Sequence, residues 1–118
     1  MSKILIADDS SFMRNVLKDI LSKEGHTLIE AENGKEALAK FDAEKPNLVL
    51  LDIIMPEMDG IEVLKKIGAT AKVVVISAVG QEKMVEEAKK LGALDYIVKP
   101  FENAQVLEAV KKALTWKR

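Results

Sequence analysis

Three carboxylates, one hydroxyl and one ammonium stand where apolar runs of this chain end. Asp8 and Asp9 follow Ile4-Leu5-Ile6-Ala7, and Asp52 follows Leu48-Val49-Leu50-Leu51. Ser77 closes Lys72-Val73-Val74-Val75-Ile76, and Lys99 comes straight after Leu94 to Val98. Brought together, three negative charges against one positive would raise each other's pKa unless a cation neutralised them. The cation that suits is Mg²⁺, a hard ion that takes one or two carboxylates, keeps several waters and leaves room for a phosphate oxygen. A carboxylate beside it can act as nucleophile and form an acyl phosphate. Charge spread over the three equatorial phosphoryl oxygens then needs donors, which Lys99, the Ser77 hydroxyl and the metal supply. Each residue also has a plainer reading: Asp52 as a solvated strand-end acid, Lys99 as a surface lysine before Pro100, Ser77 as a helix cap. Their common place at the ends of different runs favours the chemistry.

Bringing those ends together needs a parallel sheet. Apolar runs without alternation, such as Leu48 to Leu51 and the β-branched Val73 to Ile76, read as strands buried on both faces. Asp52 is expected where its strand leaves the core, held by a rigid element and open to solvent, with Pro56 and Asp59-Gly60 turning the chain after it. Between the runs the period changes to that of helices. Ser10 or Ser11 caps a helix carrying Met13, Val16, Leu17, Ile20 and Leu21 inward, and Gly25 stops it. Thr27 to Ala31 is strand-like, less buried because of Glu30. Asn33 caps a helix with Ala37, Leu38 and Phe41 inward, and Ile61, Leu64 and Ile67 mark a third that Gly68 ends. A fourth helix is expected from Gly80 to Leu91, with Met84, Val85, Ala88 and Leu91 inward and Gly92 as its stop. Val106, Leu107, Val110 and Leu114 line a fifth. Strand and helix alternate five times, which calls for an α/β fold with right-handed crossovers and helices on both faces. The strands' C-terminal ends share one edge, where open α/β sheets bind ligands.

Composition narrows the classes. The chain has 118 residues, 48% of them hydrophobic, enough for one domain over 1–118 with a sizeable core. Eighteen basic against nineteen acidic residues leave no basic stripe for nucleic acid. Without cysteine there is no disulfide framework, thiol chemistry or cysteine-based zinc site. The apolar run after Lys3 is too short for a signal peptide, and none approaches the roughly twenty residues that cross a bilayer. A cytoplasmic protein with no membrane insertion is the expectation. His26, after a helix-stopping glycine, reads as a turn residue, and Met55, Met58, Met84 and Trp116 read as packing residues.

Four stretches, Asp8-Asp9-Ser10, Leu51-Asp52-Ile53-Ile54-Met55-Pro56-Glu57-Met58-Asp59-Gly60, Ile76-Ser77-Ala78 and Val98-Lys99-Pro100-Phe101, together resemble the receiver domains of two-component signalling. The resemblance covers the whole chain. It implies a doubly wound, flavodoxin-like sheet of five parallel strands in the order 2-1-3-4-5 with five helices. It makes Asp52 the residue phosphorylated by a histidine kinase, with Asp9 and Asp52 binding Mg²⁺ through side chains, Ile54 through its backbone carbonyl and Asp8 through water. Lys99, joined to Pro100 by a cis bond, would pair with the phosphoryl oxygens. Ser77 and Tyr96 would form the switch that remodels the face of the fourth helix, fifth strand and fifth helix. Ser10-Ser11-Phe12-Met13-Arg14 and Ser77-Ala78-Val79-Gly80-Gln81 resemble the chemotaxis branch, in which a lone receiver acts as a monomer by docking. Its partners would then be a CheA-like histidine kinase, a motor-switch or adaptor protein, and a phosphatase. The implied protein is a signalling receiver and not an enzyme, catalysing only its own phosphorylation and dephosphorylation.

Two positions bear on lifetime. Ile54 and Val79 lie two residues after Asp52 and Ser77, and neither apolar side chain holds an attacking water, so slow self-dephosphorylation is expected. The same residues bear on three other functions. A phosphorelay intermediate would pass its phosphoryl group to another histidine. An aspartate-nucleophile phosphatase usually carries a second aspartate two residues after the first, where Ile54 stands. A flavodoxin-like electron carrier would find Asp8-Asp9 repelling its cofactor phosphate.

Overall fold

The computed structural model describes residues 2–117. Its elements are β1 (Lys3–Ala7), α1 (Ser11–Ser22), β2 (Thr27–Ala31), α2 (Gly34–Glu44) and β3 (Leu48–Leu51), followed by α3 (Gly60–Ile67), β4 (Val73–Ser77), α4 (Glu82–Lys90), β5 (Asp95–Val98) and α5 (Asn103–Thr115). All neighbouring strands pair in parallel, in the order β2-β1-β3-β4-β5. This is the doubly wound α/β architecture that the resemblance implies.

The unalternating runs are explained by two cores. Leu5, Ala7, Val49, Leu51, Val73 and Val75 face one side and pack with α2, α3 and α4 residues such as Ala37, Val63, Leu64 and Ala88. Ile4, Ile6, Leu48, Leu50, Val74 and Ile76 face the other, against Leu17, Leu21, Val106 and Val110 of α1 and α5. Successive strand side chains point to opposite faces, so a strand covered on both sides must be apolar throughout. Strand β2, at the sheet's edge and carrying Glu30, is only half-buried over Leu28 to Glu30.

Helix starts follow side-chain chemistry. The Ser10 hydroxyl accepts from the Met13 amide at 3.1 Å, which makes Ser10 rather than Ser11 the cap. Asn33 and Asp59 accept from the Glu36 and Glu62 amides in the same way. Helix α4 departs from expectation. It begins at Glu82, not Gly80, with Gln81 as a cap that makes no side-chain bond; of its expected inward set Ala88 is buried and Met84 and Leu91 pack partly buried against the same core. It lies beside the edge strand β5, where less sheet remains to cover it. Among the described residues no helix is long and apolar enough to cross a membrane.

Candidate functional site

The backbone ladder carries Asp8, Asp52 and Lys99 one step past their strands. The Asp8 amide donates to the Ala31 carbonyl at 3.0 Å, Asp52 to Ala7 at 2.9 Å, and Lys99 to Ser77 at 2.9 Å. These residues therefore keep the precision of the sheet while their side chains leave its apolar interior. Behind Asp52 the loop to α3 folds back closely: the Gly60 amide donates to the Ile53 carbonyl at 2.7 Å, and a Cβ at Gly60 would sit 2.2 Å from the Asp52 carbonyl oxygen. Only glycine fits there. Asp59-Gly60 thus fixes the nucleophile candidate from below as well as turning the chain.

Asp8, Asp9 and Asp52 come together, with one carboxylate oxygen from each lying within 4.8 Å of the others. The Lys99 ammonium reaches into this group, 2.7 Å from Asp8 Oδ2 and 3.0 Å from Asp52 Oδ2. Asp52 is 7% exposed and Asp8 2%, so Asp52 is not open to solvent as its strand-end position promised. Lys99, itself half-buried, closes over both acids and supplies the charge that their burial demands. Two amides complete the acids' hydrogen bonding, Ser10 on Asp8 Oδ1 at 2.9 Å and Ile54 on Asp52 Oδ1 at 3.2 Å. Burial raises the Asp8 pKa above the ordinary carboxylate value, and its bond to Lys99 only partly offsets this. Burial alone would lower Lys99, but its hydrogen bonds to Asp8 and Asp52 hold it above the ordinary lysine value. The donor set suits a hard divalent ion: oxygen ligands only, two of them buried, and a cluster more negative than one lysine neutralises.

Ser77 is fully buried at the end of β4, and its hydroxyl accepts from the Val79 amide at 3.2 Å. Tyr96, half-buried on β5, donates its hydroxyl to the Val79 carbonyl, and burial raises its pKa. The two switch candidates thus meet on the backbone of Val79. Lys99–Pro100 is cis. Ile54 offers its amide to Asp52 while the residue itself is 59% exposed.

The sequence pattern of the response regulator receiver domain matches residues 4–111. The chain belongs to the response regulator receiver family. It is 51% identical over 114 residues to the chemotaxis protein CheY of Thermotoga maritima, covering 93% of this chain and 95% of that protein. It is 43% identical to sporulation initiation phosphotransferase F of Bacillus subtilis, covering 98% and 95%. Among solved structures, the CheX–CheY–BeF3–Mg complex of Borrelia burgdorferi superposes with a TM-score of 0.90 at 38% identity, covering 98% of this chain and 90% of that one.

Arg14, Lys18 and Glu30, none given a site role by the sequence, meet beside the acidic cluster. Arg14 Nη1 donates to the Asp8 carbonyl at 2.7 Å, and its Nε meets Glu30 Oε1 at 2.9 Å. Lys18 takes the other Glu30 oxygen at 2.9 Å. The hydrogen bonds from Lys18, then Arg14, hold the Glu30 carboxyl below its ordinary pKa. The available signal was Glu30 itself, an acid inside an otherwise apolar strand.

Proposed function

We propose that this receiver is a phospho-acceptor of the chemotaxis type, phosphorylated on Asp52 by a histidine kinase. The observation that carries the proposal is the buried Asp52, grouped with two further carboxylates and touched by Lys99. In the transfer, an Asp52 carboxylate oxygen attacks the phosphorus of a phosphohistidine. The new O–P bond forms as the P–N bond breaks, and the imidazole leaves with the electron pair and takes up a proton. Asp9 and Asp52 would hold Mg²⁺ through side chains, Ile54 through its carbonyl and Asp8 through water. When bound, that ion neutralises the carboxylates and the charge on the phosphoryl oxygens. Lys99, already on Asp52 Oδ2, needs only a short shift to pair with a phosphoryl oxygen.

Ser77 would hydrogen-bond the new phosphoryl group, and its shared contact with Tyr96 at Val79 provides the route by which the docking face of α4, β5 and α5 responds. A motor-switch or adaptor protein is the proposed reader of that face. The apolar Ile54 and Val79 leave no side chain to hold an attacking water, which favours a long-lived signal ended by a separate phosphatase. The Borrelia burgdorferi relative, solved with CheX bound, supports docking of a second protein on a receiver of this shape. The protein acts in the cytoplasm, as a monomer, and turns over no substrate of its own.

Similarity to phosphotransferase F supports a second reading, in which Asp52 passes its phosphoryl group on to another histidine. Incubation with acetyl phosphate and Mg²⁺ tests the shared core. A receiver gains one hydroxylamine-labile phosphoryl group and stops, whereas an aspartate phosphatase releases inorganic phosphate over many turnovers. Loss of that label to a histidine protein of the same cell extract would select the relay reading.

A further inference from the structure

Arg14 occupies an unusual place for a cation this close to a metal site. Its side chain is 13% exposed, yet it neither enters the acidic cluster nor points to water. Instead Nη1 bonds the Asp8 carbonyl at 2.7 Å while Nε is held by Glu30 at 2.9 Å. That carbonyl belongs to the peptide plane joining Asp8 to Asp9, so its orientation sets the direction in which both acids leave the backbone. The other end of Asp8 is fixed by the Ala31 carbonyl, on the same strand as Glu30.

We infer that Arg14 is a positioning residue for the acidic pair, clamped by Glu30 on β2 so that its guanidinium locks the Asp8–Asp9 peptide for divalent-cation binding. Glu30 serves a second purpose in this arrangement. It neutralises Arg14 and ties up the fork of N–H groups that would otherwise be free to pair with the carboxylates and compete with the metal. The inference rests on the reading that this cluster binds Mg²⁺, and it concerns how the cluster is held rather than whether it binds.

The sign of one effect separates this role from simple electrostatics. Removing a positive charge near an anionic site should tighten cation binding if charge alone matters. Removing a clamp should weaken it. Mg²⁺ titration calorimetry on the wild-type protein establishes binding first. Arg14→Gln is then expected to raise the Mg²⁺ Kd about 10-fold, the low end of the scale for lost outer-shell support of metal ligands. Lys18→Gln, which removes the same charge from the same Glu30 carboxylate without touching Asp8, is expected to leave Kd unchanged or lower it. Glu30→Gln keeps the side chain's bulk and leaves Arg14 in place, so it tests the clamp even if Arg14→Gln folds poorly. Its lost negative charge would by itself raise Kd, so the readings that mark the clamp are faster amide hydrogen exchange at Asp9 and Ser10 and a double variant, Arg14→Gln with Glu30→Gln, that binds Mg²⁺ no more weakly than Arg14→Gln. Wild-type-like or tighter binding in Arg14→Gln, or equal weakening in Lys18→Gln, overturns the clamp. Absence of binding in the wild type would instead strike the metal-site reading.

Discussion

Replacing Lys99 with methionine keeps the length of its stem and removes a cation in contact with two buried acids. The structure sets the scale. Lys99 lies 2.7 Å from Asp8 and 3.0 Å from Asp52, whose side chains are 3% and 8% exposed. Breaking a buried ion pair by removing one partner costs about 3–5 kcal/mol, because the remaining charge is stranded. Lys99 keeps some contact with water, so the low end, about 3 kcal/mol or roughly 10 °C in unfolding temperature, is the expected loss for Lys99→Met at pH 8 in EDTA. Protonation limits it. Burial already raises the pKa of Asp8, so the variant relieves its stranded charge by taking up a proton as pH falls, and the deficit narrows towards pH 5. On the alkaline side the sign is set by Lys99, whose folded pKa is raised. Its contribution in the wild type is complete below its ordinary value of 10.5 and is lost as pH rises through the folded value, so the two proteins converge there. Urea unfolding across pH reads all three regimes, and millimolar Mg²⁺ should shrink the gap at pH 8. Equal stability in EDTA, or a deficit that grows on acidification, would refute the reasoning.

Three smaller perturbations probe other parts of the site. Gly60→Ala places a methyl 2.2 Å from the Asp52 carbonyl oxygen, so it is expected to destabilise by about 1–3 kcal/mol and slow Asp52 phosphorylation, read by urea unfolding and acetyl phosphate kinetics. Tyr96→Phe removes the hydroxyl bond to the Val79 carbonyl, a loss of about 1 kcal/mol, and should damp the chemical-shift response of α4 and β5 to beryllofluoride. Ile54→Asn offers a side chain that can hold water, so the phosphoryl half-life should fall about tenfold, the kinetic equivalent of one hydrogen bond in the transition state. An unchanged half-life would show that the Ile54 position does not limit hydrolysis.

Much of this was legible because a parallel sheet writes itself plainly. Leu48 to Leu51 and Val73 to Ile76 must be apolar on both faces, so the residues that end those runs stand out and share one edge. The strand order was not readable from periodicity, since five parallel strands of similar composition pair equally well on paper; it came from family resemblance. The burial of Asp52 was hidden because it depends on Lys99, which approaches from 47 residues away and folds over the acid that the strand exposes. The start of α4 was blurred for a local reason: Gln81 makes no capping bond, so nothing in the sequence marks the boundary. Arg14 and Glu30, sixteen residues apart on different elements, meet only after β1 and β2 have paired.

Asp52 is expected to accept one phosphoryl group only while the neighbouring carboxylates are neutralised by a divalent ion. The most direct measurement treats the protein with acetyl phosphate in Mg²⁺ or in EDTA, traps acyl phosphates with borohydride and maps the reduced residue by peptide mass. A single trapped site at Asp52, present with Mg²⁺ and absent with EDTA or in Asp52→Asn, is the predicted result. Trapping at another residue, or equal yield without the metal, would contradict it.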